Sequence, residues 1–301
     1  MPKIIYRHPQ ENELLAAIKT MKASNDHLQA RSGRKARDVP IKEVPSAILH
    51  MYKTDFDGCW CAYAGKRTLG YGQALLRGKQ WYLANLFIEP DAQGKGIGRG
   101  LLRRCLNYGK GKADSYSLCT FPFNETALGL YTSFGVMPLG TIFEMINSFE
   151  KRPKIFPTRL RADSGNSYRS ILRINRLEKK IRGYARLVDL KFFAGEPEAR
   201  EIFDFYDGSR WVGYAFVHQN TLIGPAGAIA PKYLPDIIGE SFNRCLDNGS
   251  KRVVISVGSA NKGVYNRLKS LGFIINFMPV FLSTKPYGDF SRYIPAHLAI
   301  F

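Results

Sequence analysis

Short apolar runs divided by polar turns recur along the chain, and in the first half they predict strands at Cys59–Tyr63, Leu69–Arg77 and Trp81–Ile88. Apolar positions at helical spacing then predict helices over Ile97–Asn107 and Thr126–Phe134, with strands at Ser115–Thr120 and Val136–Ile146. The second half offers strands at Trp211–Val217, Gly224–Ala230, Arg252–Val257 and Phe273–Leu282, and helices over Leu234–Leu246 and Lys262–Leu271. Strands alternating with helices imply an α/β fold with a mixed sheet in each half.

The two halves match in order. Gly65-Lys66-Arg67-Thr68-Leu69-Gly70-Tyr71 answers Gly208-Ser209-Arg210-Trp211-Val212-Gly213-Tyr214, Pro90 answers Pro231, and Arg104-Cys105-Leu106 answers Arg244-Cys245-Leu246. Asn124 and Gly135 answer Asn261 and Gly272, and the offset drifts only from 143 to 137 along the way. Chance similarity would not stay collinear. The chain therefore reads as two tandem domains, residues 1–150 and 191–301, with a basic linker and the start of the second domain at 151–190.

The chemistry concentrates in the first of them, in Leu86-Phe87-Ile88-Glu89-Pro90-Asp91-Ala92-Gln93-Gly94-Lys95-Gly96-Ile97-Gly98-Arg99-Gly100, an apolar strand, a glycine-rich turn and a helix start. Glycines let the backbone approach an anion, and the unpaired N–H groups of a first helical turn point at it along the positive end of the helix dipole. Gly98 and Gly100 stand inside the expected helix, where each costs about 1 kcal/mol relative to Ala, so a purely structural helix would rarely choose them. A Walker loop would end in Gly-Lys-Ser/Thr, which is absent. The dinucleotide fingerprint wants an acidic residue at a strand end, and Asp114 follows Lys110-Gly111-Lys112 instead.

Gln93-x-x-Gly96-x-Gly98 resembles the acetyl-CoA signature of the GNAT acyltransferase superfamily, and Asn124-Glu125-Thr126-Ala127-Leu128-Gly129-Leu130-Tyr131-Thr132-Ser133-Phe134-Gly135 is similar to its second segment. The resemblance covers nearly the whole chain and implies two tandem GNAT-like domains, as in mycothiol synthase and other two-domain members. It implies that Gln93, Gly94, Lys95, Gly96, Ile97, Gly98 and Arg99 cradle the pyrophosphate and that Asn124 contacts the pantetheine arm. A splayed central strand in that family presents free N–H groups, which by position belong to Leu86 and Ile88, with Phe87 between them. Tyr131 would then be the general acid: the departing thiolate belongs to a thiol of pKa roughly 8.5, and a phenol near 10 can protonate it. In the second half the corresponding turn is Ala230-Pro231-Lys232-Tyr233-Leu234-Pro235, whose proline and bulky side chains cannot hold a pyrophosphate, so that domain is degenerate. The chain also resembles tandem members ending in an Arg-Tyr-Ile/Leu-Pro segment, here Arg292-Tyr293-Ile294-Pro295.

One expected part is missing. Many members place a Glu four residues before the Val/Ile of the central strand to deprotonate the amine, and this chain has Ala84 there. Glu89 and Asp91 read as part of the turn into the cradle, His50 as bordering a helix end, and the tail around Phe301 as able to fold across the domain junction; none is assigned as base.

Composition adds limits. With 45% hydrophobic residues the protein is globular, and it has neither a signal-peptide core nor any run near the roughly 18 apolar residues of a membrane span, so a cytoplasmic protein without membrane association is expected. Five cysteines without neighbouring histidines give no metal framework. A net charge of +19 suits steering of the coenzyme A polyphosphate. Its central cluster, Lys151-Arg152-Pro153-Lys154 through Arg186, reads as a solvated linker without the aromatic interleaving of a nucleic-acid module. The expectation is an N-acetyltransferase using acetyl-CoA and a small-molecule or peptide amine, as a monomer with pseudo-symmetric domains. The rivals are an acyl-CoA-binding protein of the same fold without turnover and, third, a basic nucleic-acid-associated protein.

Overall fold

The structure is a computed structural model describing residues 3–35, 40–151, 153, 155–195, 200–218 and 221–301; Arg152 and Lys154 of the basic cluster lie outside the described residues. The chain divides into two compact units between Met137 and Pro138. In the first, β1 (Ile4–Arg7), α1 (Leu14–Arg31) and α2 (Ser46–Thr54) precede β2 (Cys59–Ala64), β3 (Arg67–Arg77), β4 (Gln80–Ile88), α3 (Ile97–Gly109), β5 (Ser115–Thr120) and α4 (Glu125–Thr132). The strands stand in the order β1-β2-β3-β4-β5, antiparallel except for the parallel pair β4 and β5.

Local sequence explains these elements. The β2–β3 hairpin turns at Gly65, whose φ of +59° favours glycine. Helix α3 buries Ile97, Leu101, Leu102 and Cys105, one apolar stripe, and presses so closely on β3 that a Cβ on Gly70 would lie 2.9 Å from Leu101 and one on Gly72 3.0 Å from Cys105. Helix α1 buries Leu14, Ala17 and Ile18 only in its first turns, so hydrophobic periodicity does not announce its full length.

The second unit holds β6 (Met137–Ser148), β7 (Arg161–Ser164), α5 (Tyr168–Arg182), α6 (Leu187–Ala194), β8 (Glu201–Asp207), β9 (Arg210–His218), β10 (Leu222–Ala228), α7 (Leu234–Asp247), β11 (Arg252–Gly258), α8 (Lys262–Ser270), β12 (Ile274–Phe277), β13 (Val280–Ser283) and β14 (Tyr293–Ile294). Strand β6 pairs with β11 from Ser148–Arg252 to Ile142–Gly258, which places it with the second unit. The repeat read from the residues is a repeat of structure: β3, β4, α3, β5 and α4 correspond to β9, β10, α7, β11 and α8, and Gly65 and Gly135 share positive φ with Gly208 and Gly272. Lys151, Arg159, Arg161, Arg169, Arg176, Lys179 and Lys180 of the basic stretch are exposed, as expected of a solvated segment, but two of its arginines are buried. Arg182 ends α5 and Arg186 follows it, both buried, with Arg186 2.5 Å from the equally buried Glu178. Tyr214 donates to the same carboxylate at 2.5 Å, so these two arginines are built into the core around Glu178.

The repeats part company at their central strands. In the first, β4 and β5 pair only from Gln80–Ser115 to Leu83–Leu118, and Ala84 is an extra residue in the β3–β4 ladder, a β-bulge that bends β4 away. In the second, β10 and β11 pair only through Leu222–Val254 and Ile223–Ile255, with an irregularity after Ile223. There, however, β14 fills the gap: Ile294 pairs with Ala226 and Tyr293 with Gly227, the counterparts in register of Leu86 and Phe87. The Arg292–Phe301 tail, expected at the domain junction, is thus committed to the second unit, and Phe301 accepts a hydrogen bond there from the buried Arg182.

Candidate active site

The open end of the β4–β5 pair continues into a cleft of about 410 Å³ in the first unit, lined along β4 by Leu83, Ala84, Leu86, Phe87 and Ile88. The N–H of Glu89 donates to Leu69 of β3 at 2.9 Å. By strand alternation Phe87 then faces β3 too, while the N–H groups of Leu86 and Ile88 face the edge that β5 has left.

At the end of β4 a single turn at Pro90–Ala92 leads into the glycine segment. Gly94 and Gly96 have φ of +75° and +78°, and a Cβ on either would meet nothing within 4 Å, so the backbone requires glycine and open space adjoins it. Gly96 caps α3 without a side-chain partner, and the first helical bond runs from Gly100 N–H to Gly96 O. The N–H groups of Ile97, Gly98 and Arg99 therefore have no partner in the helix and present its positive end to the cleft. Gln93 braces the loop by donating to Ile88 O at 3.2 Å.

The two internal glycines have different reasons. A Cβ on Gly98 would sit 3.6 Å from Ile88, an ordinary contact, whereas one on Gly100 would sit 2.5 Å from the Tyr6 hydroxyl. Gly100 is thus set by packing against β1, contrary to the expectation that a structural helix would not choose it.

On the far side of the cleft Asn124 caps α4, its Oδ1 accepting from Ala127 N–H at 3.1 Å, and Tyr131 stands six residues into the same helix. Tyr131 is 6% exposed and lines the cleft; burial, with Cys105 nearby, pushes its phenol above the ordinary value, so it carries its proton at neutral pH. Cys119 on β5 also lines the cleft, and burial pushes its thiol up to about 12. All the residues expected to bind or react line this one cleft except Lys95, whose Nζ donates back to Asp91 O at 2.7 Å.

Of the side chains considered as bases, none lines it. Glu89 accepts from Thr20 at 2.8 Å, Asp91 is paired with Arg67 at 2.7 Å, and His50 lies within α2. What the sequence reading missed is α1: Ser24, His27, Leu28 and Arg31, spaced i, i+3, i+4, i+7, form one stripe along the cleft. Among the described residues no group of three His, Cys, Asp or Glu side chains could hold a metal, and no helix is long and apolar enough to cross a membrane.

A splayed parallel pair meeting a glycine-capped helix is the arrangement that the resemblance to the GNAT acyltransferases implies. Residues 26–136 match the model of the acetyltransferase (GNAT) family. Over 135 residues, 44% of this chain and 80% of the relative, it is 29% identical to the peptidyl-lysine N-acetyltransferase YjaB of Escherichia coli strain K12. Among solved structures, a GCN5-related N-acetyltransferase from Sphaerobacter thermophilus is similar at a TM-score of 0.69 and 17% identity, covering 96% of this chain and 98% of that one. A tandem GNAT protein from the clavulanic acid biosynthesis pathway is similar at 0.61 and 12% identity over 95% and 99% of the two chains. At such identities the likeness is one of fold, and it extends over both repeats.

Proposed function

We propose that the first repeat transfers the acetyl group of acetyl-CoA to a primary amine by direct attack. The observation that carries this is the meeting, in one cleft, of the unpaired β4 edge with the N–H groups at the start of α3. The pyrophosphate would lie against Gly94, Gly96 and the N–H groups of Ile97–Arg99, where bare amides and the helix dipole favour negative charge. Arg31 and Arg99 add cationic charge, and no carboxylate lines the cleft among the described residues.

The amine lone pair attacks the thioester carbonyl carbon, and Leu86 and Ile88 N–H groups are the donors available to the carbonyl oxygen and the pantetheine. Such preorganised amides are often the largest single contribution to catalysis. As the C–S bond breaks, Tyr131 gives its proton to the sulfur. The relative's action on peptidyl-lysine supports a primary amine of the lysine type. The test is thiol release from acetyl-CoA with a panel of primary amines that includes lysine peptides; release no faster than hydrolysis would overturn the reading.

A further inference from the structure

Helix α1 crosses the open end of the splay. Near its middle, Thr20 donates to the Glu89 carboxylate at the end of β4 at 2.8 Å, and just past its end the Arg34 guanidinium lies 5.2 Å from the ring of Phe123, beyond the end of β5. Between these two anchors the Ser24-His27-Leu28-Arg31 stripe lines the cleft that Tyr131 and the free β4 edge line from other sides. His27 is exposed within that stripe.

We propose that His27 is the general base of the transfer. The inference rests on the acetyltransferase reading above, and it supplies the proton acceptor absent from β4, where Ala84 forms the bulge. Among the described residues lining the cleft, no other side chain is available for this role. None is Asp or Glu; Arg31 and Arg99 have no acceptor; the Cys119 thiol and the Tyr131 phenol hold their protons. The His27 imidazole is left as the one side chain there with a ring nitrogen that can accept a proton. The charged and titratable groups sharing the cleft with it are Arg31 on its own helix, Arg99 on α3, Cys119 on β5 and Tyr131 on α4, while the neighbouring Asp26 is paired with Lys22.

The proton balance closes. His27 takes one proton from the ammonium of the acceptor, freeing the lone pair that attacks the thioester carbon. Expulsion of the thiolate draws the Tyr131 proton to sulfur, and the surplus proton on the new amide nitrogen returns to the Tyr131 oxygen. His27 releases its proton to solvent, so an ammonium and a thioester become an amide, a thiol and one proton.

The experiment compares wild type with His27→Gln and His27→Ala, using acetyl-CoA with a lysine-containing peptide and a panel of primary amines, across pH and with and without added imidazole. Expected are a loss of kcat/KM for the amine of about 100-fold or more at neutral pH, unchanged acetyl-CoA affinity by calorimetry, loss of the acidic limb of the wild-type pH profile, and partial rescue of His27→Ala by imidazole. A wild-type enzyme that transfers the acetyl group while His27→Gln keeps the same rate and the same acidic limb overturns the role of His27 alone. A wild-type enzyme that releases no thiol with any amine overturns the transferase reading and His27 with it.

Discussion

Asn261 donates through Nδ2 to the carbonyl oxygen of Tyr293 at 2.9 Å, whereas its counterpart Asn124 lines an open cleft. Tyr293 is held as well by Arg186, which donates to its hydroxyl at 2.5 Å, and by the β10 ladder. In the second repeat, backbone from the chain's own tail thus lies where the first repeat leaves β4 unpaired.

Coenzyme A is therefore expected to bind once per chain. Isothermal titration should give a stoichiometry of one, and Gly96→Asp should remove the site. The substitution places a side chain at φ +78° and a negative charge beside the start of α3, where the anion must lie. Two equivalent sites, or an unaltered affinity in Gly96→Asp, would contradict this.

The two glycines inside α3 should respond oppositely to alanine. Gly100→Ala drives a methyl into the Tyr6 hydroxyl and is expected to cost about 1–3 kcal/mol in denaturant unfolding. Gly98→Ala meets only ordinary contacts, gains up to about 1 kcal/mol of helix propensity and should keep coenzyme A binding. Equal behaviour of the two variants would remove the packing explanation for Gly100.

Tyr131→Phe should lower kcat by roughly 100-fold or more while leaving acetyl-CoA affinity near that of wild type, because the hydroxyl acts on the departing sulfur and not on the bound ground state. The raised phenol keeps its proton through neutral pH, as an acid must. A variant that loses affinity but keeps its maximal rate would mark Tyr131 as a binding or packing residue.

Glu178 anchors the second unit. Burial pushes its carboxyl up, but the charges and hydrogen bonds of Arg186, with Arg182 and Tyr214, outweigh burial and hold it below its ordinary value. A carboxyl lowered by folding contributes stability above its unfolded pKa and loses it as pH falls through the folded one. Stability should therefore decline on acidification below the usual carboxylate range. Glu178→Gln, which removes the carboxylate charge that two buried guanidinium groups share, should cost about 3–5 kcal/mol at neutral pH and flatten that acid slope. Unfolding curves with the same acid slope in both proteins would assign the slope to other groups.

The tandem architecture was legible because repetition survives substitution: paired glycines at Gly65 and Gly208, and at Gly135 and Gly272, mark turns that each repeat must make with positive φ. The cleft's glycine signature was legible for the same reason, since a backbone held at positive φ tolerates few residues at Gly94 and Gly96. Helix α1 was not, because its cleft-facing stripe of Ser24, His27, Leu28 and Arg31 is no apolar pattern and acquires meaning only once the helix crosses the splay.

By itself, then, the sequence determined the strands and helices that the two halves repeat, their duplication and the glycine cradle, all set by local backbone geometry and periodicity over a few turns. Only the tertiary structure decided that Gly100 answers to Tyr6, that Arg182 and Arg186 are buried around Glu178, and that Tyr293–Ile294 fills the second splay. Each of these joins residues far apart along the chain, and which distant partner a side chain or a strand edge meets is set by packing of the whole unit, which no local pattern encodes.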